Sequence, residues 1–151
     1  MMSKRLKPGD ILQLEVAGGF AYLQYLGKHQ DYGDAVQVSP ARPQPWSRDQ
    51  PNSLRFAYVT FYPATAAMNQ GLVEIVGHAA APAVPRQLRR AGARADGNVK
   101  TWVIEDGSND VAKPKLSADE LQLPIAAIWN HEMLVQRIAT NWDPRQEGAS
   151  S

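Results

Sequence analysis

A hairpin signal near the start of the chain constrains the fold more than any other feature. Residues 11–16 alternate between apolar and polar side chains, which is the pattern of a half-buried strand. Gly18 and Gly19 follow, and glycine pairs adopt the positive φ angles that tight hairpin turns need. Residues 20–26 then form an apolar return strand, and residues 35–38 a third strand. The start of the chain therefore predicts an antiparallel meander.

A proline-rich segment interrupts this pattern. Residues 39–52 carry four prolines with Trp46 in the middle, so they predict a long loop, because proline fixes φ and removes a hydrogen-bond donor. Residues 54–61 are rich in aromatic and β-branched side chains and predict a strand. Residues 63–71 suit one or two helical turns between a proline and a glycine, and residues 72–76 predict a further strand.

The second half of the chain begins with a change of composition. Residues 79–97 are rich in alanine, proline and arginine and predict a crossing segment with little regular structure. Residues 99–104 and residues 125–129 predict two more strands.

Two capping signals mark helix starts in this half. Ser117 and Glu120 match a capping box, in which each residue bonds the backbone amide of the other. Asn130 is a suitable cap for a helix over residues 131–142, whose apolar side chains share one face.

These elements predict an α+β fold that is mostly β. Six or seven short strands would form a small curled sheet or an SH3-like, partly open barrel, with the C-terminal helix packed on it. We expect one globular domain over residues 1–144 and a disordered polar tail over residues 145–151. The hydrophobic fraction of 44% and the charged fraction of 21% are those of a folded globular chain.

Composition excludes several classes of function. The chain has no cysteine, which removes thiol catalysis, thiolate metal sites and disulfide frameworks. Its net charge of +1 argues against a globally basic nucleic-acid binder. No apolar run approaches the roughly 20 residues of a membrane span, and the first residues do not form a secretory signal. We therefore expect a cytoplasmic protein that has no membrane association, metal or cofactor.

Catalytic motifs are also missing from the sequence. It contains neither the elbow motif of serine hydrolases nor a phosphate-binding loop. An enzyme would have to use His131 with Glu132 at a helix start, or Glu105 with Asp106 at a turn. Surface, capping and turn roles explain these residues without catalysis, so we predict that the protein is not an enzyme.

The charged residues are unevenly distributed. Residues 86–100 carry five basic side chains and one acid, whereas residues 101–120 carry five acids and two lysines. Three interpretations stay open: surface stretches that pair with each other, electrostatic steering of a protein partner, or phosphate contacts in nucleic acid. The nucleic-acid alternative would use four arginines: Arg86, Arg89, Arg90 and Arg94.

Two tyrosines of the second strand, Tyr22 and Tyr25, point to opposite faces, so both cannot enter one core. Tyr25 would then lie either at a binding interface or beneath the proline-rich loop that carries Trp46. Tyrosine and tryptophan are enriched at binding hot spots, because they combine apolar area with a hydrogen-bonding group.

Several short motifs resemble those of small bacterial proteins. They are residues 8–11, 20–25, 31–33 and 61–63, the region of Pro85, Trp102 before Asp106 and Gly107, and the closing pattern over residues 134–142. The set resembles the immunity protein 26 family, which is found beside bacterial polymorphic toxins. The resemblance implies a mostly β fold that neutralises a toxin protein by binding it, and it implies no catalytic residue.

The leading hypothesis is therefore a small cytoplasmic binding protein that occludes a cognate protein, a toxin. Its contacts would come from aromatic anchors and a charged rim. The predicted contact residues are Tyr25, His29, Asp31, Tyr32, Trp46 and Asp106. The sequence leaves both a monomer and a homodimer open.

Overall fold

The computed structural model of the protein describes residues 5–47, 54–92, 94–95, 98–99 and 101–147. It confirms the predicted mostly β class, with strands far more abundant than helices. The two larger sheets are antiparallel, with five and three strands, and neither closes into a barrel.

The chain divides into two compact units, and the single domain expected over residues 1–144 stays a prediction. The first unit contains the chain up to Val84 together with Ile128–Trp142. The second unit contains Pro85–Ala127 and the chain from Asp143 onward. The change at Pro85 falls inside the stretch rich in alanine, proline and arginine, where few apolar side chains are available to extend the first core.

The first unit is built on the five-stranded sheet. Its strands are β1 (Asp10–Val16), β2 (Gly19–His29), β3 (Gly33–Val38), β4 (Tyr58–Phe61) and β5 (Glu74–His78). Their order in space is β4-β3-β2-β1-β5, so the predicted meander of β1, β2 and β3 lies at the centre. All the pairings are antiparallel.

Two helices pack on one face of this sheet. They are α1 (Ala64–Asn69) and α2 (His131–Ala139), and α2 begins as predicted, with the Asn130 side chain accepting from the Met133 amide. Helix α2 ends before the predicted residue 142, because Asn141 has a left-handed φ of 55°. The core on this face includes Leu12, Leu14, Leu23, Tyr25, Val36, Val38, Tyr58, Tyr62, Trp129, Leu134 and Ile138.

The opposite face of the sheet is covered by the loop that carries Trp46. Trp46 is 7% exposed and packs with Ile11 and Tyr22. The Tyr22 hydroxyl accepts from the Trp46 amide at 2.5 Å and donates to the Gln13 side chain at 2.8 Å. The loop therefore covers Tyr22 and not Tyr25, which lies on the helix-covered face.

The second unit contains the three-stranded sheet and a two-stranded hairpin. The sheet has the order β10-β9-β6, formed by β6 (Leu88–Ala91), β9 (Trp102–Glu105) and β10 (Asp110–Lys113). The hairpin pairs β7 (Arg94–Ala95) with β8 (Asn98–Val99).

Some predicted elements of this half are shorter or different. The strand predicted over residues 125–129 makes only two isolated bridges, one by Ile125 to Arg89 and one by Ile128 to Phe61. The capping box forms as predicted, since the Glu120 carboxylate accepts from the Ser117 amide and the Ser117 hydroxyl accepts from the Glu120 amide.

The first residues of the predicted tail are structured. Pro144–Gln146 form a turn of 3₁₀ helix in which Pro144 is buried, because the Arg89 side chain donates to the backbone carbonyls of Pro144 and Glu147. The remainder of the predicted tail, residues 148–151, lies outside the described part of the chain.

Candidate functional site

A β-bulge in β2 determines on which face of the sheet the side chains at the end of the β2–β3 hairpin lie. Tyr25 pairs with Val36 but Gly27 pairs with Ala35, so Leu26 is the extra residue of the bulge. The bulge reverses the alternation of faces, and His29 therefore lies on the face opposite to Tyr25. Bulges of this kind often redirect a side chain next to a functional site.

Residues 30–32 form the hairpin loop, which places three rings together. Gly33 closes the loop with a φ of +77°, a conformation that side-chain-bearing residues rarely adopt. The rings of His29 and Tyr32 lie 5.2 Å apart, and each lies within 5.4 Å of the Phe61 ring. Phe61 is fully buried, whereas His29 and Tyr32 are partly exposed.

An exposed aliphatic side chain adjoins this cluster. Ile128 forms a parallel bridge with Phe61, and the Trp129 amide donates to the Phe61 carbonyl at 2.8 Å. Neighbouring side chains in an extended segment alternate, so Trp129 enters the core while Ile128 stays 57% exposed. We call His29, Asp31, Tyr32 and Ile128, together with the Phe61 ring beneath them, the hairpin-end surface.

Two carboxylates near the end of the β2–β3 hairpin have different environments. Asp34 is buried, and its oxygens accept from the Tyr25 hydroxyl at 3.2 Å and from the Thr65 amide at 2.9 Å. Asp31 is exposed, and its carboxylate makes no hydrogen bond or ion pair with any residue that the structure describes. Its backbone amide donates to the His29 Nδ1 atom at 3.0 Å, which holds the imidazole in place.

Three of the six predicted contact residues do not lie on this surface. Tyr25 is 4% exposed and hydrogen-bonded inside the core, and Trp46 packs against Tyr22, so the prediction that these two rings contact a partner is wrong. Asp106 belongs to the second unit, where its carboxylate accepts from the Ser108 and Asn109 amides. These bonds lower the pKa of Asp106 and give it the turn-forming role typical of aspartate before glycine.

The His131 candidate for acid–base chemistry has a structural partner. Its Nδ1 atom lies 2.8 Å from the hydroxyl of Tyr62, which is buried. Burial lowers the pKa of His131 and raises that of Tyr62 to about 12. The contact joins the start of α2 to the residue after β4, and Glu132 stays exposed.

We expect stability to fall steeply between about pH 10 and pH 12, because burial raises the pKa of both Tyr62 and Tyr25 to about 12, from 10.0. In this interval the unfolded chain releases phenolic protons that the folded chain retains, so unfolding becomes more favourable as pH rises. Urea unfolding at stepped pH should show a shallower decline for Tyr62→Phe than for the wild type. Tyr32→Phe is the control, and an unchanged decline in Tyr62→Phe would contradict the prediction.

The basic segment does not present its arginines together. Arg89 is fully buried, and Arg90 bonds the Glu105 carboxylate at 2.6 Å and approaches Asp110 at 3.5 Å. The oppositely charged stretches therefore pair with each other at Arg90, whose side chain is 42% exposed, and the prediction that Arg89 contacts phosphate is wrong. Arg86 is exposed, whereas the side chain of Arg94 and all of Lys100 lie outside the described residues.

Glu105 is used in the same ion pair, so the second proposed catalytic pair, Glu105 with Asp106, also has structural contacts. Within the described residues, no three His, Asp or Glu side chains are placed to hold a metal ion. The helices in that part of the chain are all too short or too polar to cross a membrane. No protein-family model, curated protein or solved structure matches this chain.

Proposed function

We propose that the protein is a small cytoplasmic binding protein of the immunity type, which occludes a partner protein through the hairpin-end surface. The observation that carries the proposal is the packing of His29 and Tyr32 on the buried ring of Phe61. Aromatic side chains that are held rigidly and remain partly exposed lose little conformational entropy on binding. This is the arrangement expected of a binding hot spot.

Two further features support a protein as the partner. The surface combines an exposed aliphatic side chain, Ile128, with the exposed carboxylate of Asp31, which has no partner among the described residues. This combination suits a binding patch with an apolar centre and a charged rim. The arginines that a nucleic-acid interface would need are partly used inside the second unit, where Arg89 is buried and Arg90 is paired.

The proposal predicts that a double variant, His29→Ala with Tyr32→Ala, loses its partner. Tagged protein would be incubated with lysate of the cells that naturally produce it, with and without nuclease and at two salt concentrations. We expect the wild type to retain one stoichiometric protein after nuclease treatment, and the double variant to bind it at least tenfold more weakly, as for hot-spot truncations.

A matched control is Leu72→Ala with His78→Ala, which removes an exposed aliphatic side chain and an exposed imidazole elsewhere in the first unit. This control should retain the partner. Equal loss in both double variants would contradict the assignment of the surface. Capture of nucleic acid that disappears at the higher salt would contradict the proposed function, because phosphate binding weakens steeply with salt.

A further inference from the structure

The hairpin-end surface carries a charge that the fold itself does not use. The Asp31 carboxylate is exposed and has no partner among the described residues. Lys28, the nearest basic residue in sequence, pairs with Asp34 across the hairpin and therefore lies on the face opposite to His29. Asp31 stands between His29 and Tyr32 in the hairpin loop, so the exposed charge of this loop is negative.

The ring pair next to this carboxylate suits a planar cation. The His29 and Tyr32 rings are 5.2 Å apart and tilted by 46°. The Asp31 amide donates to His29 Nδ1, so the neutral imidazole carries its proton on Nε2. A guanidinium group stacks on aromatic faces and also bonds carboxylates in the same plane.

From these contacts we propose that the hairpin-end surface binds an arginine side chain of the partner protein. The guanidinium stacks on the Tyr32 ring and bonds the Asp31 carboxylate, and its methylene stem lies against Ile128, which is 57% exposed. This inference rests on the proposed function, because it assigns the chemistry of the partner at the same surface.

The experiment is an NMR titration of the whole ¹⁵N- and methyl-labelled chain with N-acetyl-arginine-N-methylamide. We expect saturable shifts confined to residues 29–32 and to the Ile128 methyl groups. The citrulline analogue, which has nearly the same shape but no charge, should bind at least fivefold more weakly, and so should the lysine analogue, which cannot stack as a plane.

Asp31→Asn should weaken arginine binding at least fivefold, whereas Asp119→Asn, which removes an exposed carboxylate in the second unit, should leave it unchanged. Equal binding of arginine and citrulline, equal binding of arginine and lysine, or full binding by Asp31→Asn would each overturn the inference.

The outcomes separate this inference from the proposed function. A negative titration, with the partner still lost from the His29→Ala and Tyr32→Ala double variant, would overturn the arginine assignment alone. A positive titration with undiminished partner capture by that double variant would overturn the proposed use of this surface.

Discussion

Replacing Arg89 by methionine is expected to lower the free energy of unfolding by about 3–5 kcal/mol. The guanidinium is buried, and the backbone carbonyls that accept its hydrogen bonds would be left without that donor. Arg89 donates to the carbonyls of Leu121, Pro144 and Glu147 and stacks over the Trp102 ring at 4.4 Å. Burial also lowers the pKa of Arg89. Methionine fills part of the volume but donates no hydrogen bond.

Urea unfolding measures this decrease in the free energy of unfolding, and hydrogen exchange shows which part of the chain it affects. The amides of Gln146 and Glu147 bond the carbonyls of Asp143 and Pro144, and they should exchange faster in Arg89→Met. The control is Arg86→Met, which changes an exposed arginine of the same unit and should stay within about 0.5 kcal/mol of the wild type. An Arg89→Met protein as stable as this control would contradict the role assigned to Arg89.

Replacing Trp129 by alanine should cost a similar amount, about 3–5 kcal/mol, because a large side chain that is only 1% exposed leaves a cavity. The indole packs edge to face on Trp142 at a centroid distance of 4.9 Å, lies 5.9 Å from Tyr58, and is covered by the Arg137 guanidinium at 4.3 Å. Replacing the indole removes a packing partner from Trp142, Tyr58 and Arg137.

The neighbouring residue provides a matched control. Ile128→Ala removes an exposed side chain from the same segment, and its urea unfolding should stay within about 0.5 kcal/mol of the wild type. The two variants therefore test the alternation that turns Trp129 into the core and Ile128 outward. Equal losses in the two would contradict that orientation.

The features predicted correctly from sequence are those fixed by a few neighbouring residues. Gly18 and Gly19 mark the first hairpin, where both have positive φ angles, and the pairing of β1 with β2 follows from the alternation over residues 11–16. Asn130 caps α2 through its own side chain. Such signals depend on backbone geometry within a few residues, so they need no knowledge of tertiary contacts.

The faces of β2 could not be assigned in the same way. Residues 20–26 are apolar or aromatic on both faces, so the bulge at Leu26 leaves no break in the pattern. Because both faces are apolar, the pattern also does not show that Tyr25 enters the core, where it bonds Asp34. His29 is partly exposed.

Two other residues depend on contacts that are distant in the sequence. Arginine is rarely buried, so Arg89 looked like a surface residue. Its burial depends on carbonyls at residues 121, 144 and 147, which sequence spacing does not bring together. Ile128 likewise lies at the hairpin-end surface only because its backbone forms a bridge with Phe61, which is distant in the sequence. Alternation between Ile128 and Trp129 was the one signal that could have marked it as exposed.

Site-specific photo-crosslinking tests most directly whether the hairpin-end surface binds the partner. Benzoylphenylalanine would replace Tyr32 in one protein and Gln136, an exposed residue of α2, in a second. Both would be irradiated with the captured partner. We expect a covalent adduct to the partner from position 32 and none from position 136. An adduct from position 136 alone, or from neither position while the partner stays bound, would contradict the claim that the hairpin-end surface is the binding site.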